Sequence, residues 1–279
     1  MSKVAVVTGC SAGIGRETAL CFARKGYQTI ASVRNLTARA GGLMLDAERE
    51  GLELEVKKLD VSDNTNVREF FKHIRETKNR IDVLVNNAGY GLFGALEDYT
   101  MNQIQKQFDT NFFGIVDVIQ NALPIMREGT DGDSKKIINV SSLNGLKGYP
   151  LFSAYNSSKF ALEGLSETLR IELRNSSNIY SVLVEFGAAK TEFPYHLEFG
   201  YRTKSPDSYF YEESKLRHND LINKTQKGLL PTLIATSIVE ISSLAKPRER
   251  YLIDKSGIAR PILKKYLLIH EANAEKNAL

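Results

Sequence analysis

The sequence predicts an α/β fold, a doubly wound and mostly parallel sheet with helices on both faces. Three observations predict it. Short apolar runs alternate with longer helical patterns, the rhythm of strand–helix–strand units joined by right-handed crossovers. A glycine-rich turn follows the first apolar run and opens a helix. The chain has 279 residues, 42% hydrophobic and 25% charged, the length and balance of a globule with ample core area.

The elements follow in order. Val4–Val7 is a continuous apolar run, as a strand buried on both faces requires. Gly13 to Lys25 has a helical pattern, and Gly26 is a natural stop. Tyr27–Val33 and Leu52–Leu59 read as the second and third strands. Thr65–Lys78 is helical, with Phe70, Phe71 and Ile74 on its inward face. Ile81–Val85 is a fourth strand, and Met101–Met126 is mostly helical with Pro124 near its end. Ile137–Val140 is a fifth strand, Ser153–Leu173 a long helix, Tyr180–Phe186 a sixth strand and Arg250–Asp254 a seventh. Pro194–Asn219 breaks the rhythm, being polar, rich in Tyr, Phe and charge, and without strand-like alternation. The expected organisation is one domain over residues 1–279, with an insert at about 194–230 and a C-terminal extension over 255–279 whose last residues fray.

Composition excludes several classes. The net charge of +4 is mild, and the basic pairs are short and scattered, so no nucleic-acid surface is expected. No apolar run reaches the 18 residues of a membrane span. The first strand starts at Val4, so no signal peptide is expected. Cys10 and Cys21 sit in the glycine-rich turn and the helix after it and read as packing residues. With four scattered histidines they make no zinc spacing, so no metal is expected and a reducing cytoplasm is the default compartment.

Thr8-Gly9-Cys10-Ser11-Ala12-Gly13-Ile14-Gly15 has the spacing Gly-x-x-x-Gly-x-Gly. Glycines there allow a tight turn and a close approach to a pyrophosphate, which the free N–H groups of the helix N-terminus attract. Arg16-Glu17 stand where a P-loop has Lys-Ser/Thr. The second strand ends Ser32-Val33-Arg34-Asn35, without the acid that often binds the adenosine ribose about 20 residues after such a turn. Arg34 instead supplies a cation suited to a 2′-phosphate, with Ser11 and the Asn35 N–H as neutral donors, so the expected cofactor is NADP(H) rather than NAD. Asp60 either accepts from an adenine amino group or caps the turn after the third strand.

Tyr155 and Lys159 are four residues apart and share one helix face. An ammonium beside a phenol favours the phenolate, so Lys159 is expected to lower the Tyr155 pKa and make it a proton donor and acceptor at neutral pH. Ser142, 13 residues before Tyr155, ends the fifth strand, and Asn86-Asn87-Ala88-Gly89 end the fourth. With Thr8–Gly15, three strand ends aim small polar residues at the carboxyl edge of the sheet, where open α/β sheets bind ligands.

Taken together, these motifs resemble the short-chain dehydrogenase/reductase family of the single-domain type, nearest its hydroxysteroid and retinol dehydrogenase-like branch. The match runs from Val4 to about Thr191 and includes Asn111. The family usually has Pro-Gly after the sixth strand, where this chain has Phe186-Gly187.

The resemblance implies a Rossmann-like seven-stranded sheet of order 3-2-1-4-5-6-7 and reversible hydride transfer between NADP(H) and an alcohol/carbonyl pair. It makes Asn111, Ser142, Tyr155 and Lys159 the catalytic set. Ser142 orients the carbonyl, Lys159 holds the nicotinamide ribose, and Asn111 holds a water that links Lys159 to solvent. Gly9, Ser11, Gly13, Ile14, Gly15, Arg34, Asn35, Asp60, Val61, Asn87, Ala88, Gly89, Tyr155, Lys159, Gly187 and Thr191 surround the cofactor.

The expected substrate is a small, apolar alcohol or carbonyl such as a steroid, a retinoid or another lipid-like compound. Leu143, Tyr149, Phe193 and the aromatics of Pro194–Tyr211 either line its pocket or form the core of the insert. A homodimer or homotetramer through the two long helices suits the family. The alternatives are a non-catalytic dinucleotide-binding regulator on the same fold and a nucleotide-sugar epimerase or dehydratase. About 90 residues after Thr191 are few for the sugar domain of the latter.

Overall fold

In the computed structural model, which describes residues 2–36, 38–128, 132–174, 178–256 and 258–262, an eight-stranded sheet is flanked by helices on both faces. Its strands are β1 (Val4–Val7), β2 (Gln28–Val33), β3 (Leu54–Lys58), β4 (Val83–Asn86), β6 (Lys135–Val140), β7 (Ile179–Phe186), β9 (Arg250–Ile253) and β10 (Ala259–Pro261). Two short strands, β5 (Leu92–Phe93) and β8 (Glu198–Phe199), pair with each other outside it. The sheet order is β10-β9-β7-β6-β4-β1-β2-β3. Seven of these strands are the expected ones in the expected order. The eighth, β10, lies in the C-terminal extension and runs antiparallel to β9. Three residues ending in Pro261 leave almost no pattern to read in sequence. Residues 263–279, most of the extension, lie outside the described residues.

β1 and β4 are neighbours, with β1 also pairing β2 and β4 pairing β6. The strand order reverses between β1 and β4, which opens a crevice at their carboxyl ends. β1 is buried along its whole length, in keeping with its unbroken apolar run. One core lies between the sheet and α1 (Gly13–Arg24), α2 (Ala38–Arg49) and α8 (Pro231–Ser243), around Phe22, Leu43, Val85 and Ile238. The second lies under α3 (Asn64–Thr77), α5 (Gly114–Glu128) and α6 (Ser153–Leu173), around Phe70, Phe71, Ile74, Ile115 and Leu162. Asp63 caps α3 by accepting from the N–H groups of Thr65 and Asn66. Gly26 follows α1 at φ +81°, the left-handed conformation expected of a stop. The thiol of Cys10 is buried on the Val7 carbonyl, and both cysteines are free. Among the described residues no helix is long and apolar enough to cross a membrane, and no three acidic, His or Cys side chains gather to hold a metal.

Two expectations need correction. The Met101–Met126 helix is interrupted: α4 (Met101–Phe108) passes through a π-helical turn at Asp109–Phe113 before α5 begins. Such turns are rare and gather at functional sites, and this one carries Asn111.

The Pro194–Asn219 segment, read from its pattern as lacking strand-like alternation, holds a short strand and most of a helix. A 3₁₀ turn at Phe193–Tyr195 leads to β8, and α7 (Tyr211–Gln226) supplies the rest. Few residues of α7 are buried, so its sequence lacks a clear apolar stripe. The segment is held by side chains far away in sequence. Gln103 donates to the Phe199 carbonyl at 2.9 Å and accepts from the Tyr201 N–H at 3.0 Å. Ser208 donates to the buried carboxylate of Asp98 at 2.6 Å.

That last bond generates a prediction. Ser208→Ala leaves a buried carboxylate short of a donor and lowers stability by about 1–3 kcal/mol. The measurement is the urea midpoint, and a midpoint equal to wild type would mean that Asp98 does not anchor the insert.

Candidate functional site

A cleft of about 1190 Å³ opens at the carboxyl ends of β1, β4, β6 and β7, where the sheet order predicts one. Its floor is the turn after β1. Gly9 sits at φ +72°, and a Cβ there would come within 2.8 Å of the Ala88 Cα. At Gly15 a Cβ would stand 2.3 Å from the Gly9 carbonyl oxygen. These glycines exist because backbone packs on backbone. The turn is tied to β4 by hydrogen bonds. The N–H groups of Asn87 and Ala88 both donate to the Thr8 hydroxyl at 3.0 Å, and the Asn87 amide donates to the carbonyls of Thr8 and Gly9 at 2.9 and 3.1 Å.

α1 starts in this floor. Its N-cap residue is Ala12, which has no side chain to satisfy the free N–H groups, and no acid stands in the first turn. A helix start of this kind suits an anion such as a pyrophosphate. Arg34 is exposed at the end of β2 and lines the cleft. Asp60 lines it too, and its carboxylate caps the local turn by accepting from the Ser62 N–H at 3.0 Å and the Ser62 hydroxyl at 2.6 Å. These groups fit a nicotinamide dinucleotide at this floor.

Gly9, Ser11, Gly13, Ile14, Gly15, Val61, Asn87, Ala88, Gly89, Gly187 and Thr191 line the same cleft, as do Ser142, Tyr155 and Lys159. Two expected residues do not. Asn35 lies exposed beyond β2 and is not in the wall. Asn111 is fully buried behind it. Its amide oxygen accepts from the Tyr90 N–H at 3.1 Å, and its amide nitrogen donates to the Tyr90 carbonyl at 3.0 Å and the Ser158 hydroxyl at 3.3 Å. The π turn presents Asn111 to the chain leaving β4.

Tyr155 and Lys159 lie on one face of α6, with the Lys159 ammonium 5.8 Å from the Tyr155 ring centroid. The ammonium donates to the Val140 carbonyl at 2.9 Å. Burial pushes the Tyr155 phenol up to about 12, and the Ser142 hydroxyl bonded to it offsets part of that rise. Burial pushes Lys159 down to about 8, with Glu163 acting the other way. The expected lowering of the Tyr155 pKa by Lys159 is therefore not seen in the free protein. The desolvation of a phenolate outweighs a cation that is itself buried and turned to a carbonyl.

The loop after β6 holds Ser142 in place through residues that carry no sequence signal of their own. The Ser142 oxygen accepts from the Asn144 N–H at 3.2 Å, and the Asn144 amide donates to the Asn156 side chain at 2.6 Å. Leu143, Tyr149 and Phe193 line the cleft. Phe193 also joins Phe93, Phe152, Leu197 and Phe199 in an aromatic cluster that includes Tyr155. Phe152 and Phe193 stand 5.8 and 5.7 Å from the Tyr155 ring. Leu143, Tyr149 and Phe193 thus line the pocket, whereas no Tyr or Phe of Pro194–Tyr211 is in its wall: Phe199 and Phe210 pack in the cluster, and Tyr195, Tyr201 and Tyr209 are exposed. Phe186, in place of proline, is buried and lines the cleft.

The chain is similar to known proteins across most of its length. The family model for short chain dehydrogenase matches residues 3–198. Retinol dehydrogenase 8 of Bos taurus is 35% identical over 255 residues, spanning 88% of this chain and 79% of the relative. A short-chain dehydrogenase from Streptomyces avermitilis superposes with a TM-score of 0.80 at 28% identity, covering 99% of this chain and 94% of that one. An alcohol dehydrogenase from the archaeon Thermococcus sibiricus, solved with 5-hydroxy-NADP, gives a TM-score of 0.72 at 25% identity, covering 94% of this chain and all of that one. The glycine turn tied to β4, the serine, tyrosine and lysine at the mouth of β6 and α6, and these similarities agree: the chain belongs to the short-chain dehydrogenase family of oxidoreductases.

Proposed function

We propose that the protein interconverts an alcohol and a ketone or aldehyde with NADP(H), on an apolar, lipid-like substrate. One observation carries the reading. Ser142, Tyr155 and Lys159 converge in a cleft whose floor suits a dinucleotide and whose wall beside Tyr155 is aromatic.

Bound nicotinamide would give a hydride to the carbonyl carbon or take one from the alcohol. Every other task falls to this chain. The Tyr155 phenol, protonated at neutral pH, gives its proton to the forming alkoxide, and in the reverse direction it must take one from the alcohol. Ser142, beside Tyr155 in the cleft, donates to the same substrate oxygen and orients it. Lys159 would hold the nicotinamide ribose of the bound cofactor, and it stabilises the phenolate left after proton transfer. Asn111 keeps the chain after β4 in register with α6 through Tyr90 and Ser158. Phe93, Phe152, Phe193 and Leu197 exclude water from the reacting oxygen and favour steroids, retinoids or long-chain aldehydes over small polar alcohols.

NADP is the better-supported cofactor because β2 ends in Val33 and Arg34, with no carboxylate to bind ribose hydroxyls or repel a 2′-phosphate. Arg34, which lines the cleft, would supply charge-assisted hydrogen bonds to that phosphate.

NADPH consumption against a panel of steroids, retinal, long-chain aldehydes and quinones tests the activity. With a substrate that turns over, Tyr155→Phe lowers kcat by roughly 10²- to 10⁴-fold while NADPH still binds. Wild-type turnover in that variant would sink the proton-transfer role. For the cofactor, kcat/KM with NADPH exceeds that with NADH by about 10- to 150-fold, the worth of a hydrogen bond to a charged group. Arg34→Ala erases most of this preference and Val33→Asp reverses it. A wild-type preference for NADH would contradict the role given to Arg34.

A further inference from the structure

Beneath Tyr155 and Lys159, α6 carries a second charged residue that the reaction as described does not use. Glu163 lies one turn beyond Lys159 on the same face and is 2% exposed. We propose that Glu163 is a positioning residue for the reaction: its carboxylate fixes the Ser141–Ser142 turn through the Ser141 hydroxyl and supplies the negative charge that keeps the Lys159 ammonium protonated beside Tyr155. The inference rests on the proton-transfer reading above and adds a residue to it.

The geometry is that of a buried hub. The Ser141 hydroxyl donates a short hydrogen bond to one Glu163 oxygen, and Arg250, at the start of β9, donates to the other. The turn sits directly on this carboxylate. A Cβ at Gly145 would come within 2.9 Å of both the Glu163 oxygen and the Ser141 hydroxyl. Ser141 is the residue before Ser142, so the carboxylate sets the path of the backbone that aims the Ser142 hydroxyl at Tyr155.

The charges around the hub come from three elements. Arg250 pairs with Glu185 of β7 and with Glu167 of α6 as well as with Glu163. Burial pushes both the Glu163 and the Glu185 carboxyls up, Glu163 raising Glu185 further, while Arg250 lowers both. With one proton held between Glu163 and Glu185, the cluster of Glu163, Glu167, Glu185 and Arg250 carries one net negative charge, and Lys159 balances it. Lys159 needs that balance. It is 6% exposed, and the Val140 carbonyl that accepts its proton offers a dipole, not a charge. A buried ammonium without a counter-charge gives up its proton. Glu163 opposes that loss. Tyr155, on the same helix face, is neutral at this pH, and Asn111 and Ser158 bring no charge.

The test reads Lys159 in the cofactor-free protein. Protein labelled with [ε-¹³C]lysine is titrated by NMR, and the Lys159 signal is identified by its loss in Lys159→Met. Glu163→Gln keeps the shape and an acceptor for Ser141 but removes the charge, and it moves the Lys159 midpoint down by about one pH unit or more. An unchanged midpoint would overturn the electrostatic role. Glu185→Gln is the second variant and keeps the test alive if Glu163→Gln does not fold. It leaves Glu163 charged, so the midpoint stays at or above wild type, and a fall there would overturn the assignment to Glu163.

Ser141→Ala tests the other half. It removes the link to the turn and keeps the charge, so kcat falls several-fold while the KM for NADPH and the alkaline limb of the pH profile hold. Wild-type kcat would overturn the positioning of Ser142. Because the titration needs neither cofactor nor substrate, it separates failure of this proposal from failure of the oxidoreductase reading.

Discussion

The side-chain amide of Asn87 donates to the carbonyls of Thr8 and Gly9, and the Thr8 hydroxyl accepts from the N–H groups of Asn87 and Ala88. These four bonds hold the glycine turn of β1 against the end of β4, where the sheet order reverses. The approach is so close that side chains are excluded at Gly9, which lies against the Ala88 backbone, and at Gly15, which lies against the Gly9 carbonyl and the Asn87 amide. Everything at the cleft inherits its position from this seam. α1 starts in the floor with its N–H groups free. The chain leaving β4 continues through Gly89 and Tyr90 to Asn111, and Asn111 in turn touches Ser158 on α6. A shift of the glycine turn would therefore reach the helix that carries Tyr155 and Lys159.

α6 is the second determinant. Its buried face carries Tyr155, Lys159 and Glu163 in successive turns, with neighbours from β6, β7 and β9 arranged around them. Burying so many ionisable groups is costly, and removing one partner from a paired set leaves the rest uncompensated. The arrangement is tolerated because each group has a partner on another element. One consequence is a protonated phenol and a weakened ammonium in the free protein, a state suited to donating a proton rather than taking one.

The sheet was legible because its signal is local. Four to eight apolar residues bounded by glycine or polar turns identify β1, β4, β6 and β7, and the family resemblance supplies their order. The glycine turn, Ser142, Tyr155 and Lys159 were legible because each has a fixed spacing. What stayed hidden depends on contacts distant in sequence. α7 faces mostly solvent and shows no stripe, and the insert is pinned by Gln103 and Asp98 more than 90 residues away. The π turn at Asp109–Phe113 has no composition of its own. The pKa of Tyr155 departs from the expectation because spacing reveals a neighbouring cation but not the desolvation that outweighs it. Glu163 reads as one more helix glutamate until β9 places Arg250 beside it.

The central claim is that the glycine turn held to β4 is the dinucleotide site that serves Tyr155. Equilibrium titration of NADPH fluorescence on wild type and Gly15→Ala, with circular dichroism to confirm folding, tests it most directly. Saturable binding to wild type and its loss in a folded Gly15→Ala protein is the predicted result, since the new Cβ forces the turn away from Gly9 and Asn87. Undiminished NADPH affinity in that variant would contradict the account.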